Sequence, residues 1–295
     1  MTRARKLEIQ GVARQALIDH GAMKLPVRPK VFAEEKLGIT VTDFDPPEPS
    51  FSGVLIQSGN DFLIGFSTAI KNEGFQNFTV AHELGHFFID GHAEELLREG
   101  QHYSRSGFIS EDPREREADL FATEFLMPWK LIEPIVHGNK RGFKAIKEVA
   151  DQCESSIVAS AIRFAEVSKE SVAVIVSYQG AVEFMVGSEA FKGLPGIDWL
   201  SRGDRLPQRS PTYSFVKNLE WVRECGVEEA GSTLSTWFSS APNLEIEEDI
   251  VGLGGYGRLM TVLITESNEE EDDEGSEDDD WIDRWKDGIF RDRRR

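Results

Sequence analysis

Two histidines four residues apart, His82 and His86, bracket Glu83 in the pentapeptide HELGH, and these side chains are the part of the sequence best suited to chemistry. On an α-helix, residues four apart project from one face, about 40° apart around the axis. Two neutral imidazoles there can share one metal ion. Glu83 lies beside that face, where its carboxylate can accept a proton from water activated by the metal instead of binding the metal itself. Two imidazoles with a carboxylate suit zinc, one ion per chain. The plainer alternative, a helix carrying two ordinary histidines, fits poorly, because the surrounding positions are apolar and buried histidines at ligand spacing need a partner.

Catalytic zinc usually keeps three protein ligands, so the sequence must supply a third. His92 stands six residues after His86, the third-ligand spacing of HExxHxxGxxH, but the glycine that pattern requires is replaced by Ile89, and Gly91 comes too late. The segment REREADLFATEFLMP offers carboxylates instead. Ala118, Phe121, Ala122, Phe125 and Leu126 mark its buried stripe, and Glu115 extends that stripe one turn earlier. Glu117 and Glu124 map toward the solvent flank. Helical phase thus favours Glu115, with Glu117 and His92 as rivals. Asp119 shares the face of Glu115 and can accept the second N–H of a metal-bound histidine, fixing its tautomer. His102 and Tyr103, between the two helices, are candidate donors to an oxyanion.

These residues need a scaffold of helices and strands. Leu7, Val12, Ala16 and Leu17 predict an opening amphipathic helix over residues 5–19, and a short helix from Val31 to Leu37 ends at Gly38. SGVLIQ and DFLIGFST, joined by SGN, read as a hairpin, and a substrate strand can add to its edge. QNFTVAHELGHFFID reads as one buried helix over 76–90, stopped by Gly91. Residues 92–113 are polar and read as mostly irregular, whereas 114–126 are helical up to Pro128. IKEVADQ and SSIVASAIRFA form a helical pair joined at CES. SVAVIVSYQGAVEFMVG then reads as a second hairpin turning at Gln179-Gly180, and a further strand covers Leu259 to Ile264.

FTVAHELGH followed by EREADLFATEFLMP resembles the ImmA/IrrE metallopeptidases, in the order of the two motifs and in the strands ahead of them. The similarity runs from about residue 30 to about residue 265. It implies a zincin-like core with His82, His86 and Glu115 on zinc, Glu83 as base, and Asp119 matching the family's Asn or Asp. It also implies an endopeptidase acting on transcriptional repressors of stress regulons or mobile elements, often helix-turn-helix proteins. Asp90 stands where many relatives have His, and the acidic tail is foreign to the pattern.

The predicted fold is α+β: a zincin-like core with a small sheet, an HExxH helix and a Glu-bearing helix, then a helical pair, a β-rich unit and an acidic tail. The predicted boundaries are 1–135, 136–168, 169–265 and 266–295. Residues 266–283 hold twelve Asp or Glu and no Lys or Arg, a composition that cannot bury enough apolar surface to fold. The chain carries 40% hydrophobic residues and a net charge of -19, with no run long enough to cross a bilayer and no apolar leader, which predicts a cytoplasmic protein. Cys153 and Cys225 read as buried thiols.

The negative charge opposes sequence-independent DNA binding. Lys140, Arg141, Lys144, Lys147 and Arg163 against Glu148, Asp151 and Glu154 give the helical pair only a weak basic surplus, so a packed hairpin is favoured over a DNA-reading one. The alternative to an enzyme is a metal-binding regulator whose helical pair contacts a partner.

Overall fold

A computed structural model describes residues 1–265 except 47, 49, 50, 70, 99, 105–111, 255 and 256. The tail expected over 266–295 lies outside the described residues. The fold is mixed α+β, with two sheets and twelve helices among the described residues. No helix there is long and apolar enough to cross a membrane. Contacts divide the chain into two units, Met1–Pro134 with Ala150–Ser156, and Ile135–Val149 with Ile157–Arg295.

In the first unit, α1 (Arg3–Asp19) and α2 (Pro29–Leu37) precede β1 (Thr40–Phe44), β2 (Gly53–Ser58) and β3 (Asp61–Ser67). There follow α3 (Glu73–Phe88), α4 (His92–Leu96), β4 (Gln101–Ser104) and α5 (Pro113–Leu126). The sheet order is β1-β3-β2-β4, with β1 parallel to β3 and the other pairs antiparallel. The hairpin forms where its apolar runs predict it, but β1 lies along one side and β4 along the other. Among the described residues the open edges therefore belong to β1 and β4, not to the hairpin itself. Both strands escape a reading by pattern: β1 is mostly exposed, and β4 is the four-residue QHYS, too short and polar to alternate.

The central helix α3 starts a turn before the predicted residue 76, because the Asn72 side chain accepts a hydrogen bond from the Phe75 N–H at 3.0 Å. It ends with Ile89 as its cap, and Gly91, at φ 82°, turns the chain into α4. Asp112 caps α5 by accepting from the Arg114 N–H at 2.9 Å, with Pro113 in the first turn. The two helices touch at backbone distance: a Cβ on Gly85 would stand 3.0 Å from Ala118 Cα. Around that crossing, Phe121 stacks between Phe88 and Phe125, at 5.8 and 5.6 Å, while Phe32 meets Phe125 edge-on at 5.0 Å. Each fully buried phenyl contributes about 1.5–3 kcal/mol.

α1 forms, but with a different inner face from the one predicted. Leu7 is 56% exposed, and Ile9, Ala13, Ala16 and Leu17 are buried. The helix packs on α5 and covers the flank expected to face solvent. Arg5 grips Glu117 through Nε at 2.9 Å and Nη2 at 2.5 Å, and Arg14 Nη1 reaches Glu124 Oε1 at 2.8 Å. Phase along α5 shows which residues share a face. It does not show that an arginine-bearing helix will cover the opposite one.

The second unit contains α8 (Ile157–Val167), preceded by α6 (Trp129–Val136) and α7 (Gly142–Cys153), which each span a boundary between the units. Its sheet is antiparallel throughout, in the order β6-β5-β9-β8-β7. The strands are β5 (Ser171–Tyr178), β6 (Ala181–Gly187), β7 (Val227–Thr233), β8 (Glu245–Gly252) and β9 (Arg258–Thr265). Gln179 and Gly180, at φ 50° and 75°, make the tight turn predicted for the β5–β6 hairpin. Short helices α9 (Glu189–Lys192), α10 (Pro211–Val216), α11 (Leu219–Arg223) and α12 (Leu234–Trp237) fill the connections. Phe191, Leu206, Trp237 and Phe238 pack on Ile175, Met185 and Leu263 of the sheet.

Four of the basic residues of the helical pair are engaged with carboxylates. Lys140 meets Glu148 at 2.9 Å, Arg141 meets Glu170 at 3.2 Å, and Lys144 meets Glu229 at 2.8 Å. Arg163, 2% exposed, holds Glu166 at 2.7 Å. Of the two thiols expected to be buried, Cys153 is buried and Cys225 is exposed.

Candidate metal centre

The site is built where the buried middle of α3 faces the first two turns of α5 and the inner face of β4. His82, Glu83 and His86 are each 0% exposed. One ligand-type atom from each of His82, His86 and Glu115 lies within 4.8 Å of the other two. The Nε2 atoms of the two histidines stand 3.1 Å apart, and Glu115 presents Oε1 at 3.1 Å from His86 and Oε2 at 3.5 Å from His82. On the far side of each ring the Nδ1 is occupied: His82 Nδ1 donates to Asp119 Oδ1 at 2.7 Å, and His86 Nδ1 faces His92 at 3.1 Å. Both rings therefore turn Nε2 inward. Two inward imidazole nitrogens beside a carboxylate, shielded from water, form a donor set that fits a divalent cation.

The electrostatics agree with that reading. Burial would lift the Glu115 carboxyl, but the His102 hydrogen bond and the close imidazoles of His82 and His86 hold it well below the ordinary carboxylate range. Burial would also lower His82, yet the Asp119 and Glu115 carboxylates outweigh it and hold the imidazole well above its usual value. His86 is pushed down to about 3, chiefly by burial, against the opposing pull of the neighbouring Glu115 carboxylate. The two facing rings are thus shifted in opposite directions, His82 up and His86 down.

Glu83 differs from Glu115 in having no hydrogen bond of good geometry to either oxygen among the described residues. Burial raises its pKa to about 7, with nearby His82 opposing, Glu115 adding, and the Ser104 hydroxyl close enough to lower it slightly. A buried carboxylate that tolerates both protonation states near neutrality is suited to moving a proton.

Gly53 of β2 explains how this side chain is accommodated: a Cβ there would overlap Glu83 Oε1 and lie 2.9 Å from Thr79 Cγ2. Gly53→Ala is expected to displace the carboxylate and lower turnover on the order of 10²-fold, since a misplacement of about 1 Å can cost that much. Metal content should not change. Parallel measurements of kcat and bound metal check this, and wild-type kcat in the variant would contradict it.

The residues singled out from sequence separate into groups. His82, His86, Glu115 and Asp119 meet, with Glu83 alongside. The rivals for the third position do not reach the cluster: Glu117 points to Arg5 and His92, and His92 lies on the Nδ1 side of His86. His102 and Tyr103 part company because neighbours on a strand face opposite ways. His102 Nε2 donates to Glu115 Oε1 at 2.8 Å, with its ring 5.0 Å from that of His86. Tyr103 packs instead against Phe51 and Phe44, at 5.4 and 6.1 Å. Gly53 and Ser104 were missed; a glycine opening a predicted strand was the signal available for the first.

The family model described as Peptidase_M78, IrrE N-terminal-like domain, matches residues 34–174. No curated protein matches the chain. In three dimensions the chain is similar to a solved Mycobacterium tuberculosis structure described as a transcriptional regulator, with a TM-score of 0.50. That likeness covers 90% of this chain and 77% of the other at 9% identity, so it concerns the fold alone.

Proposed function

Because residues 34–174 match the family model described as Peptidase_M78, IrrE N-terminal-like domain, we propose that the chain is a zinc-dependent endopeptidase. The observation that carries the proposal is the buried convergence of His82, His86 and Glu115 with Glu83 beside them. The arrangement is zincin-like. Zinc is the preferred ion because two imidazoles and one carboxylate leave a fourth position open. Bound there, it would supply Lewis acidity, bringing the pKa of water near neutrality and polarising a carbonyl oxygen.

The chain's own groups do the rest. Asp119 keeps His82 oriented by holding its Nδ1 proton. Glu83 takes a proton from the attacking water and returns it to the leaving amine, in a setting dry enough to make both transfers local. His102, its side chain 21% exposed, would donate to the oxyanion that develops on the scissile carbonyl by turning its Nε2–H away from Glu115. A substrate strand can pair with the outer edge of β4, which carries His102 and has β2 on its other side. The family resemblance supports a protein substrate, a helix-turn-helix transcriptional repressor.

The test is incubation of the purified chain with helix-turn-helix repressors, reading products by mass spectrometry. Cleavage at a defined bond should stop with a chelator and return with one equivalent of zinc. Cleavage that persists in the stripped protein would refute the proposal.

A further inference from the structure

We propose that His92 and Glu117 are positioning residues for His86, acting through a hydrogen-bonded chain that Arg5 of the N-terminal helix closes. The inference rests on the reading of His86 as a metal ligand. Sequence spacing marks His92 as a possible third ligand, but the fold delivers it elsewhere. α3 stops at Ile89, Gly91 takes a left-handed conformation, and α4 opens with His92 folded back toward the preceding helix. Its ring centroid lies 5.3 Å from that of His86, and the residue is 3% exposed.

Four groups follow in line. His86 Nδ1 is 3.1 Å from His92 Nδ1, and His92 Nε2 is 3.2 Å from Glu117 Oε2. Arg5 donates to both oxygens of that carboxylate, Nε to Oε1 and Nη2 to Oε2. One arrangement of protons satisfies all of them. Glu117 beside a guanidinium is ionised and only accepts, so His92 Nε2 must be the donor. Neutral His92 then has a bare Nδ1, which can only accept from His86 Nδ1–H. That leaves the lone pair of His86 on Nε2, facing His82 and Glu115. The protons are assigned from the network.

The opposite tautomer of His92 would reverse the chain and put a proton on His86 Nε2, where a ligand needs its lone pair. His82 receives the same service from Asp119 directly; for His86 the carboxylate acts through an interposed imidazole. Partners of this kind typically change metal affinity by about 10–100-fold.

Two measurements on the full chain test this. Long-range ¹H–¹⁵N spectra of the imidazoles in the metal-free wild type should show a proton on His86 Nδ1 and none on His92 Nδ1; a proton on His92 Nδ1 overturns the proposal. Zinc competition against a chromophoric chelator should show His92→Leu weakened by about 10–100-fold. His92→Gln should largely recover, because its carbonyl can accept from His86 while its amide donates to Glu117. Glu117→Gln and Arg5→Ala should fall between.

Arg14→Ala is the control, since it cuts another link between α1 and α5 without touching the chain of groups. It should bind zinc like wild type. Equal losses in Arg14→Ala and Arg5→Ala, or full affinity in a folded His92→Leu, would overturn the proposal. A wild type that takes up no zinc would sink the metallopeptidase reading, while the tautomers would still decide the chain of groups.

Discussion

Glu83→Gln lowers peptide-bond turnover by about 10²–10⁴-fold, the usual contribution of a positioned general base, and leaves the metal in place. Glutamine has the shape of the glutamate and cannot accept a proton at the working pH. The variant should fold at least as well as wild type, because the carboxylate it replaces is fully buried with no well-formed hydrogen bond among the described residues. Burial also penalises its ionised form, which is why the pKa rises to about 7 in the metal-free protein. A matched set of kcat, metal content and thermal melt therefore separates lost chemistry from lost structure.

The pH profile follows with a definite sign. Glu83 must be ionised to take a proton, so kcat/KM falls on the acid side. A bound cation nearby favours the carboxylate, so that acid limb lies at or below about pH 7. Wild-type turnover in Glu83→Gln would remove the base from the mechanism. A regulator that only binds metal would keep partner binding unchanged in the variant and show no peptide cleavage in the wild type.

The legible part of the site is what one helix can encode. HELGH fixes the relation of His82, Glu83 and His86 by helical geometry, and the stripe Ala118, Phe121, Ala122, Phe125 places Glu115 and Asp119 on the face that meets them. What was not legible comes from elements that acquire meaning only by pairing. QHYS carries no strand pattern, yet alignment with β2 makes it β4, and that decides that His102 faces Glu115 while Tyr103 faces Phe51. His92 shows the same limit from the other side. Its spacing from His86 is legible, but only the turn at Gly91 shows that it approaches Nδ1 rather than Nε2. The burial of the α5 flank is hidden in the sequence for a related reason, since the arginines that cover Glu117 and Glu124 lie more than a hundred residues earlier, on α1.

Glu115→Ala should empty the site of metal, while Glu117→Ala keeps about one zinc per chain. Alanine removes the only carboxylate in the buried trio and leaves two imidazoles, short of the three protein ligands a catalytic zinc normally keeps. The loss should exceed the roughly 10–100-fold that an outer-sphere deletion costs. His102 is the one complication, because its ring sits 5.0 Å from that of His86 and its nitrogen already faces the position Glu115 vacates. If it moves in as a substitute ligand, Glu115→Ala retains some metal and the double variant Glu115→Ala/His102→Ala loses it. Elemental analysis of the wild type, both single variants and the double variant distinguishes these cases. Full zinc in the double variant, or its loss in Glu117→Ala greater than in Glu115→Ala, would mean that the third ligand lies elsewhere and that the convergence of three buried side chains serves structure rather than chemistry.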